Sequence, residues 1–192
     1  MDHLSLQIIR QEHMALAAML RSLVLMLDRG PDGDEDRFFD VVRAMLFYID
    51  EFPERMHHPK ESKLLFPKVA LRASQVASTI ERLNQDHANG EHSVRELQHQ
   101  LLAWELLGPS RRSIFEAAAR RYVDFYLEHM RVEEMEVLPA ALKTLEADDW
   151  KALDAAFAAN RDPLADNSAR TPQFERLFTR IVTNAPAPIG LG

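Results

Sequence analysis

Two distant stretches of this sequence carry the same pattern. The first reads His57-His58-Pro59-Lys60-Glu61-Ser62-Lys63-Leu64-Leu65-Phe66-Pro67, and the second His129-Met130-Arg131-Val132-Glu133-Glu134-Met135-Glu136-Val137-Leu138-Pro139. Each has a His, a Glu four residues on, an apolar pair, and a Pro ten residues after the His. Each also has an upstream partner: His13 stands 44 residues before His57, and His87 stands 42 before His129. Both upstream histidines come directly after an acid, Glu12 and Asp86. A helix–loop–helix unit bearing one His, then His-x-x-x-Glu, thus occurs twice. A fold that uses both copies must bring four helices together.

The apolar periodicity agrees with that requirement. Leu6, Ile9, Leu16, Leu20, Leu23 and Leu27 recur at steps of three and four and predict a helix over residues 4–27. It ends at the loop signal Asp28-Arg29-Gly30-Pro31-Asp32-Gly33-Asp34. A second helix is expected from Asp36 to Val69, with Pro53, Pro59 and Pro67 kinking or breaking it. A third covers Ala73 to Leu107 and stops at Gly108-Pro109-Ser110, where Ser110 is the expected cap of a fourth helix, Arg111 to Leu145. Two shorter helices come after it, Asp148 to Ala159 and one opened by Thr171-Pro172, and the tail from Asn184 reads as extended or loose. No strand-like alternation is present. The expected fold is all-α: an antiparallel up-down-up-down four-helix bundle over residues 1–145, with a helical extension, 146–192, packing on it.

Composition narrows the chemistry. The chain has no cysteine, so thiolate metal sites, iron–sulfur clusters, disulfides and cysteine nucleophiles are excluded. Eight histidines remain. Residues four apart on a helix differ by about 40° and lie one turn apart, so His57 with Glu61, and His129 with Glu133, can each aim at one point. Inward side chains of four packed helices converge near the bundle axis. Four imidazoles and two carboxylates form a nitrogen–oxygen set that suits iron, zinc or manganese and has enough donors for two ions. It suits calcium and magnesium poorly, because both prefer all-oxygen shells.

These motifs together resemble the hemerythrin-like, or HHE cation-binding, domain, and the stretch from His57 to Pro67 resembles its bacterial branch. The segment from Asp149-Trp150 through Phe157 to Arg161-Asp162-Pro163-Leu164 is also similar to the region C-terminal to the bundle in that branch. The resemblance implies a four-helix bundle around an oxo- or hydroxo-bridged centre of two non-heme iron ions, with zinc or manganese as lesser candidates. It implies His13, His57, His87 and His129 as terminal ligands and Glu61 and Glu133 as bridges. Members of the family bind dioxygen reversibly, sense oxygen or iron, or respond to nitric oxide and peroxide.

At one position the chain departs from the oxygen-carrying pattern. Where that pattern has a second His four residues after the third-helix one, this chain has Glu91. His92 lies one residue further, about 100° round a regular helix. Either Glu91 ligates or one iron keeps a solvent position, and both readings favour oxygen or peroxide reactivity over reversible carriage. Pro59 lies between His57 and Glu61 and can distort their register, which makes His58 the alternative ligand. His3, His92 and His99 fall outside the repeat and are expected to face solvent. Glu134 and Glu136 read as surface charges, with Glu134 also in reach of supporting a ligand. Tyr122 and Phe125 read as core packing, and Tyr48 and Tyr126 as residues able to donate to a bound oxygen species.

The expected function is therefore metal-centred binding or sensing of dioxygen or a related small molecule rather than dedicated catalysis. The alternatives are an enzyme acting on peroxide or nitric oxide at the same site, and a helical interaction module with a zinc-filled or empty site. Acidic residues outnumber basic ones 30 to 23, which argues against nucleic acid or an anionic membrane as partner. No stretch approaches the roughly 20 apolar residues of a membrane helix, and Met1-Asp2-His3-Leu4 does not open a signal peptide. The expected compartment is the cytoplasm, and a homodimer is compatible with the sequence.

Overall fold

A computed structural model describes residues 3–31, 33–160, 162, 164–165 and 172–191. Helix makes up 88% of it, and no strand occurs among the described residues. The first helix, α1, spans Leu4–Arg29 and ends at Gly30, whose φ of 67° a side chain would resist and whose N–H donates to the Met26 carbonyl. The next, α2, spans Glu35–Ile49, and the Asp34 carboxylate caps it by accepting from the Arg37 N–H at 3.0 Å.

Beyond Ile49 the chain does not break at its prolines. It runs on through a π-helical stretch Asp50–His57, a single turn α3 at His58–Lys60, a second π turn Glu61–Leu65, and α4 at Phe66–Arg72. The cause lies in proline itself, which lacks an N–H and pushes on the carbonyl four residues back. For Pro59, Pro67 and Pro139 those carbonyls belong to Arg55, Lys63 and Met135, and each lies inside a π-helical stretch. Widening the turn accommodates the ring without ending the helix.

After a 3₁₀ turn at Ser74–Val76, the long α5 spans Ala77–Leu107 and closes at Gly108. A 3₁₀ turn at Pro109–Arg111 then leads into α6, Arg112–Val132. Ser110 lies within that turn, and no side chain caps α6. A π turn at Glu133–Val137 and α7 at Leu138–Thr144 continue it, mirroring the first copy of the repeat. The last two helices are α8, Ala147–Phe157, and α9, Pro172–Asn184; the expected cap at Thr171 lies outside the described residues.

The apolar interior is divided in two. One layer holds Leu16 to Leu27 of α1, Phe38 to Ile49 of α2, Phe52, Val94 to Trp104 of α5 and Phe115 to Met130 of α6. The other holds Leu6, Ile9, Leu65 to Val69, Ile80, Leu83, Val132 to Leu145, and Trp150, Leu153 and Phe157 of α8. Between the two, on all four long helical stretches, lie Glu12, His13, Glu54, His57, His58, Glu61, His87, His129 and Glu133, every one of them buried.

The segment beyond residue 146 adheres to this body. Helix α8 packs on α1, where Asp154 Oδ1 accepts from the Ser5 N–H at 2.8 Å and hydroxyl at 2.6 Å, and α9 packs on α2. His3, expected in solvent, instead stacks on Trp150 with ring centroids 3.9 Å apart, because α8 presents a flat apolar ring at the start of α1. The tail after Asn184 is not loose either. Ala185 is buried, the Leu191 N–H donates to the Val182 carbonyl, and buried Ser22 donates to the Pro186 carbonyl at 2.8 Å while accepting from the Ile189 N–H at 3.1 Å. One hydroxyl thus satisfies two backbone groups of the tail. Ser22→Ala is expected to destabilise the protein by about 1–3 kcal/mol, the cost of leaving buried polar groups unpaired. Amide exchange at Ile189 should accelerate more than exchange in α5.

Candidate metal centre

The prolines set the local register of the site. Each copy of the repeat begins a π turn on its glutamate, Glu61 or Glu133, and both carboxyls are fully buried. The preceding π-helical stretch ends at His57, so that the consecutive His57 and His58 both enter the polar layer from one helical segment.

The imidazoles form two groups. His13 Nε2 lies 3.3 Å from His57 Nε2, and His57 Nε2 lies 2.6 Å from Glu61 Oε1. On the other side His87 Nε2 lies 3.1 Å from His129 Nε2 and 3.4 Å from Glu61 Oε2, while the His58 ring stacks on His87 at 4.2 Å. Candidate ligand atoms of His13, His57 and Glu61 fall within 4.8 Å of one another, and so do those of His58, His87 and His129. Glu61 reaches both groups, one oxygen to each. Glu133 Oε2 lies 3.7 Å from His13 Nε2 and 4.0 Å from His129 Nε2, so it too stands between the groups.

The outward nitrogen of each ring has its own partner. Nδ1 of His13 pairs with Glu134 at 2.9 Å, that of His57 with Glu12 at 2.6 Å, that of His58 with Glu54 at 3.0 Å and that of His87 with Ser62 at 2.8 Å. His129 Nδ1 faces Asp86 at 3.4 Å. Carboxylate partners of this kind favour the Nδ1–H tautomer and turn Nε2 inward. The oxygens of Glu61 and Glu133 face imidazole Nε2 atoms, Glu61 Oε1 at 2.6 Å from His57, and accept from no hydroxyl, amide or backbone N–H.

Protonation follows the same logic. Burial, followed by the neighbouring imidazoles, holds His58 well below the usual histidine range, and burial takes His87 down to about 3. Burial likewise lowers His13 against the pull of Glu134. His57 moves the other way: burial opposes its charge, but Glu61 and Glu12 on its two nitrogens outweigh burial and raise it well above the ordinary value. Burial, and then the nearby Glu61, push Glu133 well up. For Glu61 burial is outweighed by the surrounding imidazoles, His57 first, and its pKa falls. His13, His58 and His87 are thus held uncharged beside two carboxylates in want of positive charge, the donor state that metal binding requires. At His57 a cation would take the place of the proton that Glu61 attracts.

The sequence matches the Hemerythrin HHE cation binding domain family over residues 4–141. The chain belongs to this family. A comparison with curated proteins finds no match. The family's cation-binding character agrees with the clustered His and Glu side chains of this member.

All six residues singled out by the repeat, His13, His57, Glu61, His87, His129 and Glu133, meet in the polar layer. Glu91 does not. It is 48% exposed and pairs with Arg95 at 2.7 Å. His58, the alternative offered by the sequence, stands in the group with His87 and His129. His92 and His99 are exposed, and so is Glu136, which accepts from Thr79. Tyr48 donates to Asp162 at 2.7 Å. Sequence reasoning missed Glu54. It accepts from Tyr122 at 3.1 Å and from Tyr126, holds His58 through its other oxygen, and burial raises its pKa to about 7. Its position four residues before His58 was the available signal.

Tyr126 reaches Glu54 across Gly90 of α5, where a Cβ would sit 1.8 Å from the phenol oxygen. Gly90→Ala is therefore expected to cost about 1–3 kcal/mol by overpacking, against a helix-propensity gain of about 1 kcal/mol. Denaturant melts should show net loss of stability in Gly90→Ala and only partial relief in the Gly90→Ala/Tyr126→Phe pair, because the ring carbons left behind still lie 2.6 and 2.9 Å from the added Cβ.

Proposed function

We propose that this protein is a non-heme di-iron protein that binds or senses dioxygen or a related small molecule. The observation that carries the reading is the set of four carboxyl oxygens on Glu61 and Glu133, buried between two apolar layers, faced by imidazole Nε2 atoms and accepting from no hydroxyl, amide or backbone N–H. Buried carboxylates without compensation cost several kcal/mol each, and a polyvalent cation is the compensation that a ring of neutral imidazoles accepts alongside them. Nitrogen–oxygen donor sets of this kind suit iron, zinc or manganese, and membership of the hemerythrin HHE family favours iron among them.

In this reading His13 and His57 would hold one ion and His58, His87 and His129 the other, with Glu61 and Glu133 placed between the groups to serve both. Iron supplies a redox-active Lewis acid able to engage a small oxygen-containing ligand. The chain's own contribution is to keep the Nε2 lone pairs inward through the Nδ1 partners, to exclude bulk water with the apolar layers, and to leave the group with two imidazoles less crowded than the group with three. An up-down-up-down bundle supports this arrangement: α1 and α5 meet the Leu6-containing layer first, whereas α2 and α6 meet the Leu16-containing layer first. No helix among the described residues is long and apolar enough to cross a membrane.

Metal analysis of protein from iron-replete cells should give about two iron per chain. His129→Ala should lose most of that iron and His99→Ala should keep it. Equal retention in both, or zinc in place of iron throughout, would overturn the assignment. Turnover of peroxide or nitric oxide by the iron-loaded protein would move the reading from binding to catalysis.

A further inference from the structure

One histidine of the metal centre is supported from outside the repeat. Glu12 Oε2 lies 2.6 Å from His57 Nδ1 and also accepts from Asn160 Nδ2 at 2.8 Å. Asn160 belongs to the segment just after α8, and its amide oxygen accepts in turn from Lys60, three residues beyond His57. His57, Glu12 and Asn160 are all buried. The four side chains form a chain, His57–Glu12–Asn160–Lys60, that joins α1, the extension and, at both ends, the His57 segment. Glu12, like Glu134, Glu54, Ser62 and Asp86 at the other four imidazoles, comes from the helices that carry the repeat, but Glu12 is itself held by a residue of the extension.

We propose that Asn160 is a positioning residue for the metal centre: by donating to Glu12 it fixes the carboxylate that holds His57 Nδ1, and so makes the C-terminal extension part of the site's support. The chemistry is direct. A carboxylate accepting from an amide on one side has one orientation in which the same oxygen also meets an imidazole N–H. His57 then carries its proton on Nδ1 and turns Nε2 inward. Without Asn160 the Glu12 carboxyl can rotate, and His57 gains access to the other tautomer and to a second ring orientation. The loss falls on the His13/His57 group, because no other cluster histidine shares this partner. Residues that orient a ligand histidine typically change metal affinity by about 10- to 100-fold when removed.

The proposal rests on the metal-binding reading, and the experiment separates the two. Zinc(II) serves as a diamagnetic probe, titrated into the full-length chain as wild type, Asn160→Leu, Glu12→Gln and the double variant. Asn160→Leu should weaken one zinc equivalent by about 10- to 100-fold and leave the other unchanged. In the Glu12→Gln background it should have no further effect, since both changes break the same chain. Nitrogen-detected NMR of the histidine rings should show a protected Nδ1–H on His57 in the wild type, and faster exchange of that proton in Asn160→Leu. That signal is read in the metal-free protein as well, where a lowered melting temperature alone would not move it. Multiplicative effects in the double variant, equal weakening of both equivalents, or an unchanged His57 signal would overturn the role of Asn160. A wild type that takes up no zinc and no iron would overturn the metal reading, and the metal-free His57 signal would still decide whether Asn160 positions the ring.

Discussion

The structure depends on one electrostatic arrangement, two carboxyl groups buried out of reach of water with only imidazoles facing their oxygens. Glu61 and Glu133 are fully buried and accept from no hydroxyl, amide or backbone N–H. A layer of that kind would be untenable in an ordinary core, since each desolvated charge costs several kcal/mol. It persists because five imidazoles surround it, each engaged at its outer nitrogen so that the inner one is turned toward the carboxylates and able to ligate. The apolar layers above and below serve the same end. They keep the dielectric low, which strengthens the attraction of the layer for a cation as much as it penalises an empty charge.

The backbone that presents this layer is shaped by its prolines. In a regular helix, a proline deep in the sequence pattern ends the element, and the second expected helix would have split into fragments. Here the π turns absorb Pro59, Pro67 and Pro139, and two of those turns start on the very glutamates that occupy the layer. The widened turn also changes the angle between consecutive residues, which is how His57 and His58 serve different groups while remaining neighbours in the chain. Register, proline placement and the choice of residues that enter the layer are thus one feature rather than three.

The duplicated His-x-x-x-Glu with its upstream histidines was legible because helical geometry converts a four-residue spacing into a shared direction, and all six residues meet in the layer. The choice between Glu91 and His58 could not be decided by periodicity, since both lie at the margin of an ideal helical face. The π-helical stretch before Pro59 brings His58 in, and the ion pair with Arg95 holds Glu91 out. Glu54 and Asn160 were less readable. Glu54 offered only a spacing, and Asn160 offered nothing local, because its partner Glu12 is 148 residues away. The ordering of the tail on Ser22 was hidden for the same reason: hydrogen bonds between chain ends leave no periodic trace.

The histidine partners differ in their exposure, and this gives the layer a direction. Glu54 is buried and Asp86 mostly covered, but Glu134 is 40% exposed and lies over His13 in the cleft between α1 and α6. On that side a single carboxylate separates the His13 ring from bulk water. On the other, His58 and His87 are stacked among Tyr126 and Phe66, and the Nδ1 partner of His87 is the half-buried Ser62 hydroxyl. Exchange of protons between the layer and its surroundings therefore has a short path through Glu134. Two halves built from one repeated motif thus meet their surroundings through different groups, a carboxylate at His13 and a hydroxyl at His87.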